Sequence, residues 1–281
     1  MMSIEAKLEE ITPDVAKDYL EHNKRNRKIK TKTVESYARD IMRGNFVTTH
    51  QGIAFNNEGE LIDGQHRLLA IVAANKPVHM MVTRGLPNGT VSVLDRGVSR
   101  SIRDVIQMEM LHDGLDDGMF TNPKIISGLS HVVSGSYKMG MRLSSDDMKN
   151  LFNEFIDVLP GVYDQVVTKA GSKARAPMIA AAISAAACGV DADTLGKFFS
   201  IFFKDDVAGC DNYNIQAVLN WKRQLDVAKQ NKVTMDRKRF YLGTQNAIYH
   251  FVNNTDVKRI VAPSNAVYDV SDRVKSALLA N

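Results

Sequence analysis

Residues 52–84 read GIAFNNEGELIDGQHRLLAIVAANKPVHMMVTR. Ile53 and Phe55 alternate with small or polar neighbours, Asn56-Asn57-Glu58-Gly59 is turn chemistry, and Leu61-Ile62 resumes the apolar run. That is a β-hairpin pattern. His66 to Asn75 (HRLLAIVAAN) follows as a short helix with a strong apolar face, and Pro77 to Arg84 (PVHMMVTR) as another strand, closed by Gly85-Leu86-Pro87. Strand, tight turn, helix and second strand in so short a span predict a small α/β unit.

Upstream, Thr12-Pro13-Asp14 predicts a helix start, with Thr as N-cap, Pro at the first helical position and Asp favourable against the helix dipole. A second helix is expected from Thr31 to Arg43, with Val34, Tyr37, Ala38 and Ile41 on one face. Downstream of residue 120 the strand signals fade. Ser144-Ser145-Asp146-Asp147 is a capping-box-like start before MKNLFNEFIDVL, and Ala176 to Ala187 is Ala-rich and helix-prone. Thr194 to Phe203, Ile215 to Lys229 and Asp236 to Val252 are further helices. The expected architecture is α+β: an α/β domain over 1–110 and an all-α domain of six to eight helices over 119–281, joined by Leu111 to Gly118 (LHDGLDDG).

Composition sets outer limits. At 281 residues, 44% apolar and 24% charged, the chain is neither disordered, collagen-like nor a disulfide scaffold. The net charge is +4, divided evenly on either side of residue 110, so any nucleic acid must bind a local patch. Cys188 and Cys210 have no C-x-x-C or zinc-finger spacing, the N-terminus is acidic without a signal peptide's apolar stretch, and no run is long enough to span a bilayer. A cytoplasmic protein with no membrane partner and no metal ligand set is expected.

The motif that carries chemistry is Asp63-Gly64-Gln65-His66-Arg67. A strand ends at Ile62, Gly64 permits a left-handed turn, and a helix begins near Gln65 or His66. The first N–H groups of that helix lack intrahelical partners and carry the positive end of its dipole, so they suit an anion. His66 and Arg67 add donors, and an Arg can hold phosphate with two parallel hydrogen bonds. Asp63 would repel phosphate; it could cap the helix, bridge through a metal or activate water.

The run ELIDGQHRLLA, with NKRNRKIKTKTVESYARDIMRGNF before it and VTRGLPNGTVSVLDRGVSRSIRDVI after it, resembles the ParB/sulfiredoxin-like fold, in particular its DGQHR branch from phages, plasmids and mobile or defence islands. The resemblance is closest over residues 10–106 and fainter beyond, where TQNAIYHFVNNTDVKRIV is similar to the helical tail of such proteins. It implies a glycine-led turn whose terminal Arg binds nucleotide or DNA phosphates. ParB partition proteins carry Gly-Glu-Arg-Arg at this turn and a second nucleotide motif; Gln65 and His66 replace the Glu and first Arg, and no second motif matches, so a CTP clamp does not carry over. Sulfiredoxins have Cys where Gln65 stands, which removes the thiol that sulfinic acid repair needs.

The candidate catalytic residues are therefore Asp63 and His66, and the candidate phosphate or DNA contacts Gly64, Gln65 and Arg67. Arg25, Arg27 and Lys28 join them from a segment with six basic residues in nine, Lys24 to Lys32. Arg96, Arg100 and Arg103 are spaced for one helix face. Lys222-Arg223, Lys229, Lys232 and Arg237-Lys238-Arg239 form another basic cluster, edged by Trp221 and Tyr241, which could stack bases or be core. His50 could face the site, and Asp113, Asp116 and Asp117 read as linker rather than metal ligands.

Three functions compete. The first is an enzyme on DNA, in phage–host conflict. With one carboxylate at the turn, it cleaves a base–sugar bond in preference to a phosphodiester, which wants several carboxylates for metal ions. The second is a nucleotide-binding switch or kinase, with a triphosphate and Mg²⁺ at the turn. The third is a non-catalytic ParB-like DNA-binding regulator. The enzyme reading leads, because an ionised Asp in an anion site is hard to justify for binding alone.

Overall fold

A computed structural model of the chain describes residues 4–24, 26, 28–88, 90, 118–137 and 141–279. They divide into two compact units, one within Met1–Ser99 and one within Arg100–Ala280. The first is mixed α/β and the second helical, so the chain is α+β. The expected linker, Gly118 apart, lies outside the described residues.

The first unit runs β1 (Glu5–Ile11), α1 (Pro13–Glu21), α2 (Thr31–Met42), β2 (Ile53–Asn56), β3 (Leu61–Asp63), α3 (Gln65–Ala74) and β4 (Val78–Leu86). Its four strands stand in the order β1-β4-β2-β3. The hairpin β2–β3 is antiparallel, and α3 then carries the chain back so that β4 lies parallel to β2, with Ile53 opposite Val82. A parallel neighbour requires such a crossover, which is the role of α3. Thr12 caps α1 as its chemistry predicts, accepting from the Val15 amide at 3.2 Å. Buried Ile53, Phe55, Leu61, Leu68, Ile71, Met80 and Val82 form one core between sheet and helices.

β1 is an addition to the expected elements. It pairs antiparallel with β4, Glu5 opposite Arg84 and Ile11 opposite Val78. Only Ile11 is buried, so the apolar alternation that marks a half-buried strand is absent from its sequence. Charged residues on an edge strand also discourage pairing with a second chain.

The second unit contains α4 (Pro123–Ser136), α5 (Ser145–Glu154), α6 (Leu159–Val162), a π-helical stretch (Tyr163–Thr168), α7 (Ala176–Ala187), α8 (Ala192–Lys204), α9 (Ile215–Gln230), α10 (Arg237–Val252) and α11 (Ser271–Leu279). The capping box at α5 is complete: the Ser144 hydroxyl accepts from the Asp147 amide at 3.1 Å, and the Asp147 carboxylate from the Ser144 amide at 2.9 Å. α7 is the central element, buried at every residue from Pro177 to Ala185. α4 is an addition to the expected helices, because its Gly and Ser content (PKIISGLSHVVSGS) obscures the face formed by Ile125, Leu129 and Val132. Trp221 and Tyr241 are both core: the Trp221 indole N–H donates to Thr244 Oγ1 at 3.1 Å, and the Tyr241 hydroxyl meets Ser184 Oγ at 2.8 Å. Base stacking on either ring is thereby corrected. Among the described residues no helix is long and apolar enough to cross a membrane.

Candidate functional site

The turn after β3 is built around Gly64, whose φ of +104° lies in the left-handed region. A Cβ there would also stand 3.1 Å from Ile53 Cγ1 and 3.2 Å from Ile53 Cα, so conformation and space both demand glycine. α3 begins at the next residue, and the Gly64 carbonyl accepts from the Arg67 and Leu68 amides at 3.0 Å each. One oxygen of Asp63 accepts from the Gly64 amide at 2.7 Å.

Arg67 folds back over this turn. Its Nη1 lies 3.6 Å from the other oxygen of Asp63 and donates to the Gly52 carbonyl. Gly52 itself presses onto β4: a Cβ there would fall 1.7 Å from the Met81 oxygen. Asp63 is thus held between a backbone amide and a guanidinium, with its side chain 34% exposed against 16% for Arg67.

Gln65 and His66 point inward and are buried, 4% and 7% exposed. Their partners lie in the basic segment between α1 and α2. Gln65 Oε1 accepts from Asn23 Nδ2 at 3.2 Å, and Asn26 Nδ2 donates to Asn23 Oδ1 and to the Leu61 carbonyl at 2.8 Å each. The Leu61 amide donates to the His22 carbonyl at 2.9 Å, and the Lys30 amide to His66 Nε2 at 3.0 Å. An Nε2 that accepts carries no proton, so in this geometry His66 is neutral and offers no Nε2 donor to a phosphate.

The basic segment is therefore hydrogen-bonded to the turn at several points. Lys28, Lys30 and Lys32 are exposed, while Lys24 lies 3.4 Å from Glu60. Arg25, Arg27, Arg96, Arg100 and Arg103, with Asp113, Asp116 and Asp117, lie outside the described residues. His50 is exposed on a bend. No group of three or more His, Cys, Asp or Glu side chains that could hold a metal occurs among the described residues.

A second polar cluster escaped sequence reasoning. Glu9 of β1 accepts from both terminal nitrogens of Arg84 on β4, and from the Tyr19 hydroxyl of α1 at 2.7 Å. The Arg84 guanidinium stands 5.6 Å from the centroids of both the Tyr19 and Phe55 rings. The Arg84 hydrogen bond holds the Glu9 carboxyl below its ordinary range, and burial pushes the Tyr19 phenol up. With its donors engaged by Glu9 and Tyr19, Arg84 acts as a clamp joining β1, α1 and β4. Residues so far apart give no local signal; only the pairing of β1 with β4 unites them. No family model, curated protein or solved structure matches the chain.

Proposed function

We propose that the N-terminal unit is a ParB/sulfiredoxin-like module that binds DNA backbone phosphates at the Asp63–Arg67 turn and the basic segment beside it, and that it holds DNA without cutting it. The observation that carries this reading is the stitching of Asn23, Asn26 and Lys30 to the turn, which brings the Lys30 backbone to α3 in a segment where Lys28 and Lys30 are exposed. Cations carried near the positive end of a helix suit a polyanionic backbone. The bonds of Asp63 to the Gly64 amide and Arg67 give its charge a structural employment. This supports holding DNA ahead of hydrolysing it, as does His66, whose Nε2 is engaged by the Lys30 amide.

Fluorescence anisotropy with duplex DNA tests this across about 50 to 200 mM salt. Replacing Lys28, Lys30 and Lys32 together by Gln should lower the slope of log affinity against log salt by about 0.9 for each phosphate that is no longer neutralised. Asp63→Asn, which removes a carboxylate from the anion site, should bind at least as tightly as the wild type. Strand breaks or abasic sites produced by the wild type on unmodified or phage-modified DNA, and abolished in Asp63→Asn, would move the assignment to a hydrolase. Displacement of DNA by millimolar ATP or CTP would move it to nucleotide binding.

A further inference from the structure

Residues 222–239 carry seven basic side chains against two acidic ones, a net +5 in a chain whose total is +4, so the remaining 263 residues sum to −1. This segment covers the second half of α9, the connection 231–236, and the first turn of α10. Its inner face is core: Trp221 and Phe240 pack with ring centroids 6.0 Å apart. Its outer face is cationic, with Arg223, Lys229, Lys232, Arg237, Lys238 and Arg239 all exposed. Two acids offset them only in part: Asp236 caps α10 through the Lys238 and Arg239 amides, and Asp226 forms no ion pair among the described residues. Lys222 alone is paired, with Asp205 at 2.5 Å.

The first turn of a helix disfavours cations, yet behind its Asp236 cap α10 begins Arg237-Lys238-Arg239. Positions that break a local rule while the surrounding packing obeys it are expected at functional or strained sites. An anionic partner would relieve the crowding of these exposed cations.

We propose that this helix-pair tip is a second, separate docking surface, and that its partner is the phosphate backbone of duplex DNA. Single strands are disfavoured because residues 222–239 include no aromatic side chain, and the flanking Trp221, Phe240 and Tyr241 are buried, leaving no platform for unstacked bases. A membrane surface is disfavoured because an interfacial helix needs large apolar anchors, whereas the exposed apolar residues here are Val227 and Val233. The inference goes beyond the proposal for the N-terminal unit and does not depend on it.

The test measures duplex DNA binding against salt for the full chain and two variants. Tip variant Lys229→Gln, Lys232→Gln, Arg237→Gln, Arg239→Gln should lose about 0.9 in slope for each phosphate these side chains neutralise, and on the order of tenfold or more in affinity. The variant replacing Lys28, Lys30 and Lys32 is run in parallel. An unchanged tip variant beside a weakened loop variant overturns this inference and leaves the first unit's role; the converse overturns that role and leaves this one. A wild type that binds no duplex at low salt overturns both. Arg237→Gln with Arg239→Gln, measured without DNA, should raise Tm, which a stabilising structural role would not. In the unaltered protein, saturating duplex should shield Lys229, Lys232 and Lys238 from acetylation; full reactivity overturns the proposal. Binding of phosphatidylserine vesicles or an acidic peptide through these residues, with no effect on duplex affinity, does so too.

Discussion

At Asp63 a single carboxylate satisfies the amide of the very turn it precedes and the guanidinium one helical turn later. Both interactions depend on Gly64, because no other residue reaches its backbone angle without strain or clears Ile53. Gly64→Ala should therefore destabilise the first unit by about 2 kcal/mol, read as a lower urea midpoint by circular dichroism. His66→Ala should cost about 1 to 3 kcal/mol by leaving the Lys30 amide without its acceptor. Its larger effect should be to loosen the basic segment, seen as faster amide exchange at Lys30 and weaker DNA binding.

At the level of elements, β1 is held to its unit less by burial than by the Glu9–Arg84–Tyr19 clamp. The sign of its pH dependence follows from the lowered Glu9 carboxyl: its contribution is fully present above the unfolded value near 4.5 and is lost as pH falls through the folded one. Glu9→Gln should flatten that acid limb of the stability profile. α5 offers a comparable test. Ser144→Ala removes one half of the capping box, leaves the fully buried Asp147 amide short of its acceptor, and should cost about 1 kcal/mol by urea denaturation. The sequence showed the α5 box and the Thr12 cap because capping is local chemistry. It concealed β1 and α4, whose formation depends on partners elsewhere in the chain.

Each of the two units has its own core and carries a cationic run, and the modest +4 conceals how unevenly charge is placed along the chain. The lone Trp221 lies inside the helical unit, 2% exposed, at the base of the basic tip. Its emission should be blue-shifted in the native protein, red-shifted on unfolding, and unmoved when duplex DNA saturates the protein. Quenching on DNA addition would mean that the indole stacks on bases, which its burial opposes.

The amino-acid sequence by itself determined the strand–turn–helix–strand unit, the left-handed glycine at its turn, most of the helices and the local basic runs. Each of these is written in periodicity, turn chemistry or charge within a few residues. Only the tertiary structure decided what the turn's side chains do. It buried Gln65 and His66 against the basic segment, neutralised Asp63 with Arg67, joined Glu9 to Arg84 across the sheet, and took Trp221 and Tyr241 into the core. A side chain's chemistry is legible from its identity, but whether it faces solvent or a partner depends on contacts between distant residues, and those exist only once the chain has folded.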